Sequence, residues 1–516
     1  MAALTRPTRA EWTTATVAAV GAIVVAAVQL RSGIVHLLDT VTYWSGAQAV
    51  ADGHPFTTHL APSFSNFDAI EFLERGGRLP FVDFPIGFPL LAGIPGALIG
   101  VRRAMGLVVV LSLAVVAMCV VLGDRTPRTS PRVDARRFLT IVFAVALIAL
   151  PTTRLVTQGT LSEPVFTAAV FALVISLANY REGGRWSWVA GFTVLASLLR
   201  FIGAPLALLG GWERYRRTGD RRGSILWTIG LAAPAAANIA LASLAGGGHN
   251  AGWRGLQRVD VDVFVRSVGG WFDHRQGDLR RTYFTGEGPQ WWSWIVAVAW
   301  VAVLVVAVVH LIRRRSFLTT TAHFALAAAA IISTGLVLGL MGFDALVIPD
   351  NRLMLPAGLL TLAAIYWSTP RRGRALVGVA LGVALWIVVA VQPTSIGESF
   401  SDDSGRKAFS GVAASSGARL IVTNDADAVH WDTGLPAAYA PTARKALTGE
   451  LVDVDDLYRR LPCALLRNDG IVVLSDQITF SSVDFDLLDL AVVEGALTKE
   501  EKPGVIVYRP TAAACR

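Results

Sequence analysis

The sequence predicts a mainly α fold: a polytopic α-helical membrane protein of about 11 transmembrane helices, followed by a small C-terminal α/β extracytoplasmic domain. Three observations predict it. Of 516 residues, 53% are hydrophobic and only 16% charged, whereas soluble domains carry roughly 25% charge; mean hydropathy is +0.52. Apolar runs long enough to cross a bilayer recur as far as residue 391. Beyond that point the composition changes, and every lysine (Lys407, Lys445, Lys499, Lys502) lies in the tail.

The spans can be justified in order. Apolar runs cover 12–30, 104–123, 138–153, 161–180, 224–245, 291–312, 316–343, 353–368 and 375–391, and two shorter ones, 186–199 and 201–212, flank Arg200. The first run is too long for a signal h-region and lacks a small-residue cleavage site, so it reads as an anchor. Arginine clusters at 6–9, 125–137, 181–185, 214–222, 313–315 and 371–374 set the orientation by the positive-inside rule. An even number of crossings between clusters makes the Arg200 pair two spans. It also makes 84–99 a re-entrant or interfacial helix, broken by Pro85, Pro89 and Pro95. The resulting topology has the N-terminus cytoplasmic and the C-terminal domain extracytoplasmic, in a multi-pass protein of the cell membrane. The net charge of +8 sits between apolar runs, which excludes nucleic acid as a partner.

By this reading residues 1–391 form the transmembrane domain, with a long first outer loop at 31–83 and another at 246–290; residues 392–516 form the outer α/β domain. Its segments ARLIVTND, GIVVLSD and GVIVYRP are short β-branched runs ending in turn residues, as buried strands do. VDVDDLYRRL has helical spacing. No nucleophile elbow, phosphate-binding glycine loop or metal-ligand spacing occurs in the tail, so it reads as a stabilising or capping domain. Cys463 and Cys515 could pair there if it faces an oxidising compartment, whereas Cys119, inside an apolar run, reads as a small core residue.

With this topology several charged residues gather at the outer face. Asp39 and Tyr43 follow the first span. Asp83 heads the interfacial helix, Glu163 starts the fourth span, Arg200 lies between the fifth and sixth, and Asp350 and Arg352 start the tenth. Helix capping and headgroup contact are the bland reading of such positions. The chemical reading is group transfer from a lipid phosphate. A carboxylate can take the proton of an attacking hydroxyl, and a guanidinium can bind the phosphate through a fork of donors. His54 and His59 in the first loop have no defined acid partner and read as solvated, and His310 and His323, in or near spans, read as packed or paired rather than as ligands.

The segments DTVTYWSGAQAVADGHPF, VDFPIGFPLL, LSEPVFTAAVFAL, SLLRFIGAPLALL and DNRLMLPAGLL together resemble the GT-C integral-membrane glycosyltransferases, which use polyprenyl-phosphate sugars. The resemblance covers most of the membrane part. It implies an inverting displacement in which Asp39 is the catalytic base. It further implies substrate-binding roles for Tyr43, Asp83, Glu163, Asp350, Arg200 and Arg352, with the two arginines at the donor phosphate. The donor would be a polyprenyl-phosphate sugar of the mannose or arabinose class, serving cell-envelope synthesis, and the acceptor a glycan, lipid or protein. Asp39 is followed by Thr40 where many protein mannosyltransferase-like members carry a second acid. That leaves dependence on a divalent cation open and argues against the protein-mannosylating branch. The tail also lacks a Trp-Trp-Asp motif, against an oligosaccharyltransferase.

Two alternatives stand beside this reading. A transporter or flippase of a lipid-linked saccharide would need charges along a two-sided path near the midplane, whereas the sequence gathers them at one face. A glycan polymerase or ligase would use the arginines of 246–290.

Overall fold

The computed structural model describes residues 7–31, 34, 38–61, 68–81, 84–124, 133–245, 319–342, 351–369, 404–441, 453–475 and 483–515. The runs 291–312 and 375–391, the outer loop 246–290, Asp83 and Asp350 lie outside these residues, and with them the full span count. In chain order the first elements are α1 (Arg9–Arg31), α2 (Leu38–Ala51), β1 (Thr57–Thr58), β2 (Leu60–Ala61), α3 (Ala69–Glu74), β3 (Leu79–Pro80) and α4 (Gly87–Ile99). Next come α5 (Val101–Gly123), α6 (Val133–Ile148), α7 (Pro151–Gln158), α8 (Glu163–Arg181), α9 (Trp186–Leu199), a 3-10 turn (Phe201–Leu206), α10 (Ala207–Thr218) and α11 (Arg221–Ala245). The last are α12 (Thr320–Gly342), α13 (Asn351–Ser368), α14 (Ser404–Ser415), β4 (Leu420–Thr423), α15 (Ala426–Thr433), β5 (Ala437–Tyr439), α16 (Val454–Arg467), β6 (Gly470–Ser475), α17 (Phe485–Val493), β7 (Leu497–Lys502) and β8 (Val505–Pro510). The chain divides into two compact units, one of 1–34, 106–237 and 256–396, the other of 35–105, 238–255 and 397–516.

The first unit is helical. Among the described residues α1, α5 and α8 are long and apolar enough to cross a membrane. Shorter apolar helices include Trp186–Leu199 and Arg352–Ser368. One face of α1 is a row of buried alanines (Ala15, Ala18, Ala22, Ala26), while Val17, Val20, Val24 and Val28 stand exposed on the other. A helix apolar on its outer face too is one whose outer solvent is lipid. α8 is buried along almost its whole length, the central post of this unit. The Trp367 indole on α13 donates to the Val120 carbonyl at 2.9 Å and fills the space that a Cβ on Gly123 would need.

Three stretches differ from the sequence reading, each for a proline. The run 138–153 is not one helix: α6 ends at Ile148 and α7 restarts at Pro151, with Leu150 extended (φ −57°, ψ 142°). Proline disfavours helical backbone in the residue before it and is at home in a first helical turn. The run 201–212 is likewise not a helix of its own. A 3-10 turn containing Pro205 precedes α10, which runs on to Thr218 and stops at Gly219 with φ 70°. Conversely, 87–99 is a single helix that contains Pro95 rather than breaking there.

The second unit is α/β. Its six-stranded sheet has the order β2-β5-β4-β6-β8-β7. β2, β5, β4 and β6 are parallel, and β8 and β7 are added antiparallel. Every residue of β4 and β6 is buried, as expected of parallel strands covered on both faces. Phe72 and Leu73 of α3 pack with Leu457, Leu461 and Leu465 of α16 in one core cluster with Leu420, Val422 and Val472. The runs read as strands in the tail are β4, β6 and β8. The first loop contributes to the same sheet: Leu60 and Ala61 pair with Ala437 and Ala438, and Ala437 N donates to the His59 carbonyl at 3.1 Å. Cys463 and Cys515 form a disulfide that ties α16 to the segment after β8.

Candidate functional site

Asp39 stands in the first turn of α2, where the partial positive charge of a helix N-terminus stabilises an anion. The helix is held on several sides. Residues 40–47 are buried or nearly so. Tyr43, only 1% exposed, packs on Phe84 with ring centroids 4.8 Å apart and meets Phe88 edge-on at 5.2 Å. A Cβ on Gly93 of α4 would lie 2.5 Å from the Ala47 carbonyl oxygen, so only glycine allows α4 this close. Ser45 Oγ accepts from His59 N and from Thr58 Oγ1, both at 2.9 Å, which fixes α2 to the strands of the first loop. These contacts hold the helix that carries Asp39.

A second polar group lies in the helical unit. Glu163, 2% exposed, opens α8 and pairs through Oε1 with Nη1 of Arg200 at 2.7 Å. The same guanidinium nitrogen donates to Ser162 Oγ at 3.3 Å. Arg200 reaches them because its backbone is extended (φ −152°, ψ 140°) at the break after α9. Gly203 follows, where a Cβ would meet the Ala196 carbonyl oxygen at 2.2 Å. Arg352 lies in the first turn of α13.

An arginine partner is one of the two roles the sequence reading allows Glu163, and Arg200 is that partner; Ser162 and Thr160 are missed. The signal was present in QGTLSEP, where two hydroxyls sit beside the acid in a turn between helices. Among the described residues no group of three His, Cys, Asp or Glu side chains lies close enough to hold a metal ion. His59 is half-buried and its Nδ1 bonds the Gly77 carbonyl at 3.3 Å, so it is part of the fold rather than a solvated loop residue.

The other feature missed from the sequence joins α2 to α15. The Trp44 ring lies 4.8 Å from that of His430 and 5.3 Å from that of Trp431. The Arg102 guanidinium covers Trp431 at 4.1 Å and Trp44 at 5.0 Å, a cation–π arrangement, and donates to the Trp431 carbonyl. His430 is fully buried, and its Nδ1 donates to the Leu435 carbonyl at 2.7 Å.

Burial pushes the His430 imidazole down to about 4 from its ordinary 6.5, the charges of His59 and Arg102 add to this, and the bond to Leu435 opposes it. His59 is lowered as well, chiefly by burial. The sign follows from proton uptake: below the ordinary value the unfolded chain binds a proton that the folded histidine refuses. Stability of the α/β unit is therefore full above pH 6.5 and falls as pH drops toward 4, by about 3 kcal/mol at most from His430. Unfolding followed against pH is expected to show this loss in the wild type and a much flatter profile in His430→Phe.

No family model and no curated protein matches the chain. Among solved structures it is similar to ArnT from Cupriavidus metallidurans bound to undecaprenyl phosphate, at 14% identity and TM-score 0.45, over 98% of this chain and 99% of that one. The apo state of the same protein gives 14% and 0.41, over 96% and 97%. The Archaeoglobus fulgidus oligosaccharyltransferase in complex with zinc and sulfate gives 10% and 0.48, over 95% of this chain and 73% of that one. All three scores fall below 0.5, so the function of this chain has to be read from its own residues.

Proposed function

We propose that the chain is a membrane-embedded GT-C-type glycosyltransferase. It moves one sugar of the mannose or arabinose class from a polyprenyl-phosphate carrier to a hydroxyl of an extracytoplasmic glycan, lipid or protein. The observation that carries this reading is Asp39: a carboxylate in the first turn of a helix that follows a membrane-length apolar helix in the chain, on a segment locked by Tyr43, Phe84, Phe88 and the Gly93 contact. The Asp39 carboxylate accepts the proton of the acceptor hydroxyl as that oxygen bonds to the anomeric carbon. The bond from that carbon to the phosphate oxygen breaks, its electron pair leaves with polyprenyl phosphate, and the configuration inverts. Arg352 binds the departing phosphate through its fork of donors. Asp83, Asp350 and Tyr43 complete the acceptor and donor contacts in this proposal.

The Cys463–Cys515 disulfide supports an extracytoplasmic tail, since such bonds persist in oxidising compartments. With it go a cytoplasmic N-terminus and a multi-pass topology of about eleven spans.

The test is reconstitution of the purified chain in liposomes carrying polyprenyl-phosphate mannose or polyprenyl-phosphate arabinose and an envelope-glycan acceptor. Loss of sugar from the lipid into acceptor, with an inverted anomeric centre, is the expected result. Movement of the labelled lipid between leaflets with no transfer to acceptor would replace the enzyme by a transporter.

A further inference from the structure

The turn between α7 and α8 carries two buried polar atoms that have no hydrogen-bond partner among the described residues. Leu161 N donates to the Val156 carbonyl at 3.1 Å and Thr160 N to the Thr157 carbonyl at 3.0 Å, which closes α7 and swings the chain into α8. Thr160 is fully buried and its hydroxyl oxygen has no partner among the described residues; Glu163 is 2% exposed and its Oε2 has none among them either. Glu163 Oε1 is satisfied by Arg200, which also holds Ser162.

Buried polar atoms nearly always find partners, because leaving one unmet forfeits its full hydration. What is missing here has a definite chemistry. The free carboxylate oxygen requires an O–H or N–H donor, and the threonine hydroxyl can donate to an oxygen or accept from one. The Glu163–Arg200 pair is neutral as a whole, and its unmet atom belongs to the negative member. A phosphate brought to that oxygen would meet like charge, whereas adjacent hydroxyls meet both atoms.

Resting on the glycosyltransferase reading above, we infer that Thr160, Ser162, Glu163 and Arg200 form the subsite for hydroxyl groups of the donor's sugar and not for its phosphate. This gives Arg200 a different role from the phosphate contact expected from sequence. Arg200 acts as a positioning residue that holds the Glu163 carboxylate with Oε2 turned to the sugar.

The subsite is tested by binding rather than by turnover. Affinities of the purified chain in nanodiscs are measured for polyprenyl phosphate, polyprenyl-phosphate mannose and polyprenyl-phosphate arabinose. The wild type is expected to hold at least one sugared lipid about tenfold or more tightly than the bare lipid phosphate, as one hydrogen bond to a charged oxygen allows. Glu163→Gln removes that preference and leaves the bare lipid within about twofold. Because Glu163→Gln strands a buried guanidinium, Thr160→Val serves as the second variant: it keeps the shape and the ion pair and is expected to lose severalfold for the sugared lipid alone. Equal weakening for bare and sugared lipids in both variants would assign the group to phosphate or to the fold. A wild type that binds both lipids alike has no sugar subsite here, although the lipid-phosphate reading survives. A wild type that binds none of the three removes the donor reading itself, and the subsite with it.

Discussion

Asp39→Asn is expected to lower sugar transfer by about 10²–10⁴-fold, the usual contribution of a positioned proton acceptor, with accumulation and membrane insertion unchanged. The amide has nearly the shape of the carboxylate, so the packing around α2 is preserved: Tyr43 against Phe84 and Phe88, and Ala47 against Gly93. What is lost is the capacity to take a proton from the attacking hydroxyl. Because that capacity is used only in the transition state, the loss falls on kcat and on kcat/KM alike, with KM little changed. Asp39→Glu is the informative companion. It restores the charge but moves it by one methylene, and misplacement by about 1 Å can cost about a hundredfold, so a small recovery at best is expected. The measurement is initial-rate transfer by the reconstituted protein, with affinity for bare polyprenyl phosphate as the control for folding. Near-normal turnover by Asp39→Asn would take the base away from this residue and leave the proposed mechanism without one.

Much of the helical architecture was legible because lipid-length apolar runs and prolines are local signals. The run 186–199 coincides with α9, since Arg200 and Pro205 interrupt the apolar pattern within a few residues. Boundaries drifted where a proline was misjudged. Pro151 restarts a helix that composition alone carried through, and Pro95 is absorbed by α4, although an interior proline removes one of the helix's hydrogen bonds. Pairings across the chain left no local trace. Nothing in the dipeptide Leu60–Ala61 announces a strand, because two residues are too short to show an alternating pattern; its identity comes from β5, far along the chain. Glu163 and Arg200 were each visible as charges in apolar surroundings, yet their pairing depends on the break after α9.

Thr160 illustrates a local rule broken at the candidate site. Its φ of 44° is one that a β-branched residue adopts only under strain, roughly 1–3 kcal/mol, and glycine occupies the preceding position instead. Sequences that specify a fold tend to break such rules where a side chain is needed for another purpose. At Thr160 that purpose is the buried hydroxyl.

The second large effect is expected in the α/β unit. The Cys463–Cys515 bridge closes a loop of 52 residues between α16 and the segment that follows the outer strands. In the chain-entropy account, a cross-link over that length stabilises by about 4 kcal/mol, a large share of what a single domain has. Cys463→Ser is therefore expected to bring unfolding of this unit to markedly lower denaturant, while the apolar helices, stabilised by lipid and by each other, insert as before. The consequence should extend to α2. That helix is bound to the same unit through Ser45, His59 and the Trp44–His430 contact, so loosening the sheet that contains β2 loosens the support of Asp39. Transfer by Cys463→Ser should then fall more steeply with temperature than in the wild type, and addition of a reductant to the wild type should reproduce the fall. If reductant changes neither the unfolding midpoint nor the temperature dependence, the bridge is dispensable and the sheet's hydrophobic core is sufficient to hold α2. If Cys463 and Cys515 of the protein from native membranes alkylate without prior reduction, the bridge is absent in the cell, and the extracytoplasmic placement of the tail loses its support.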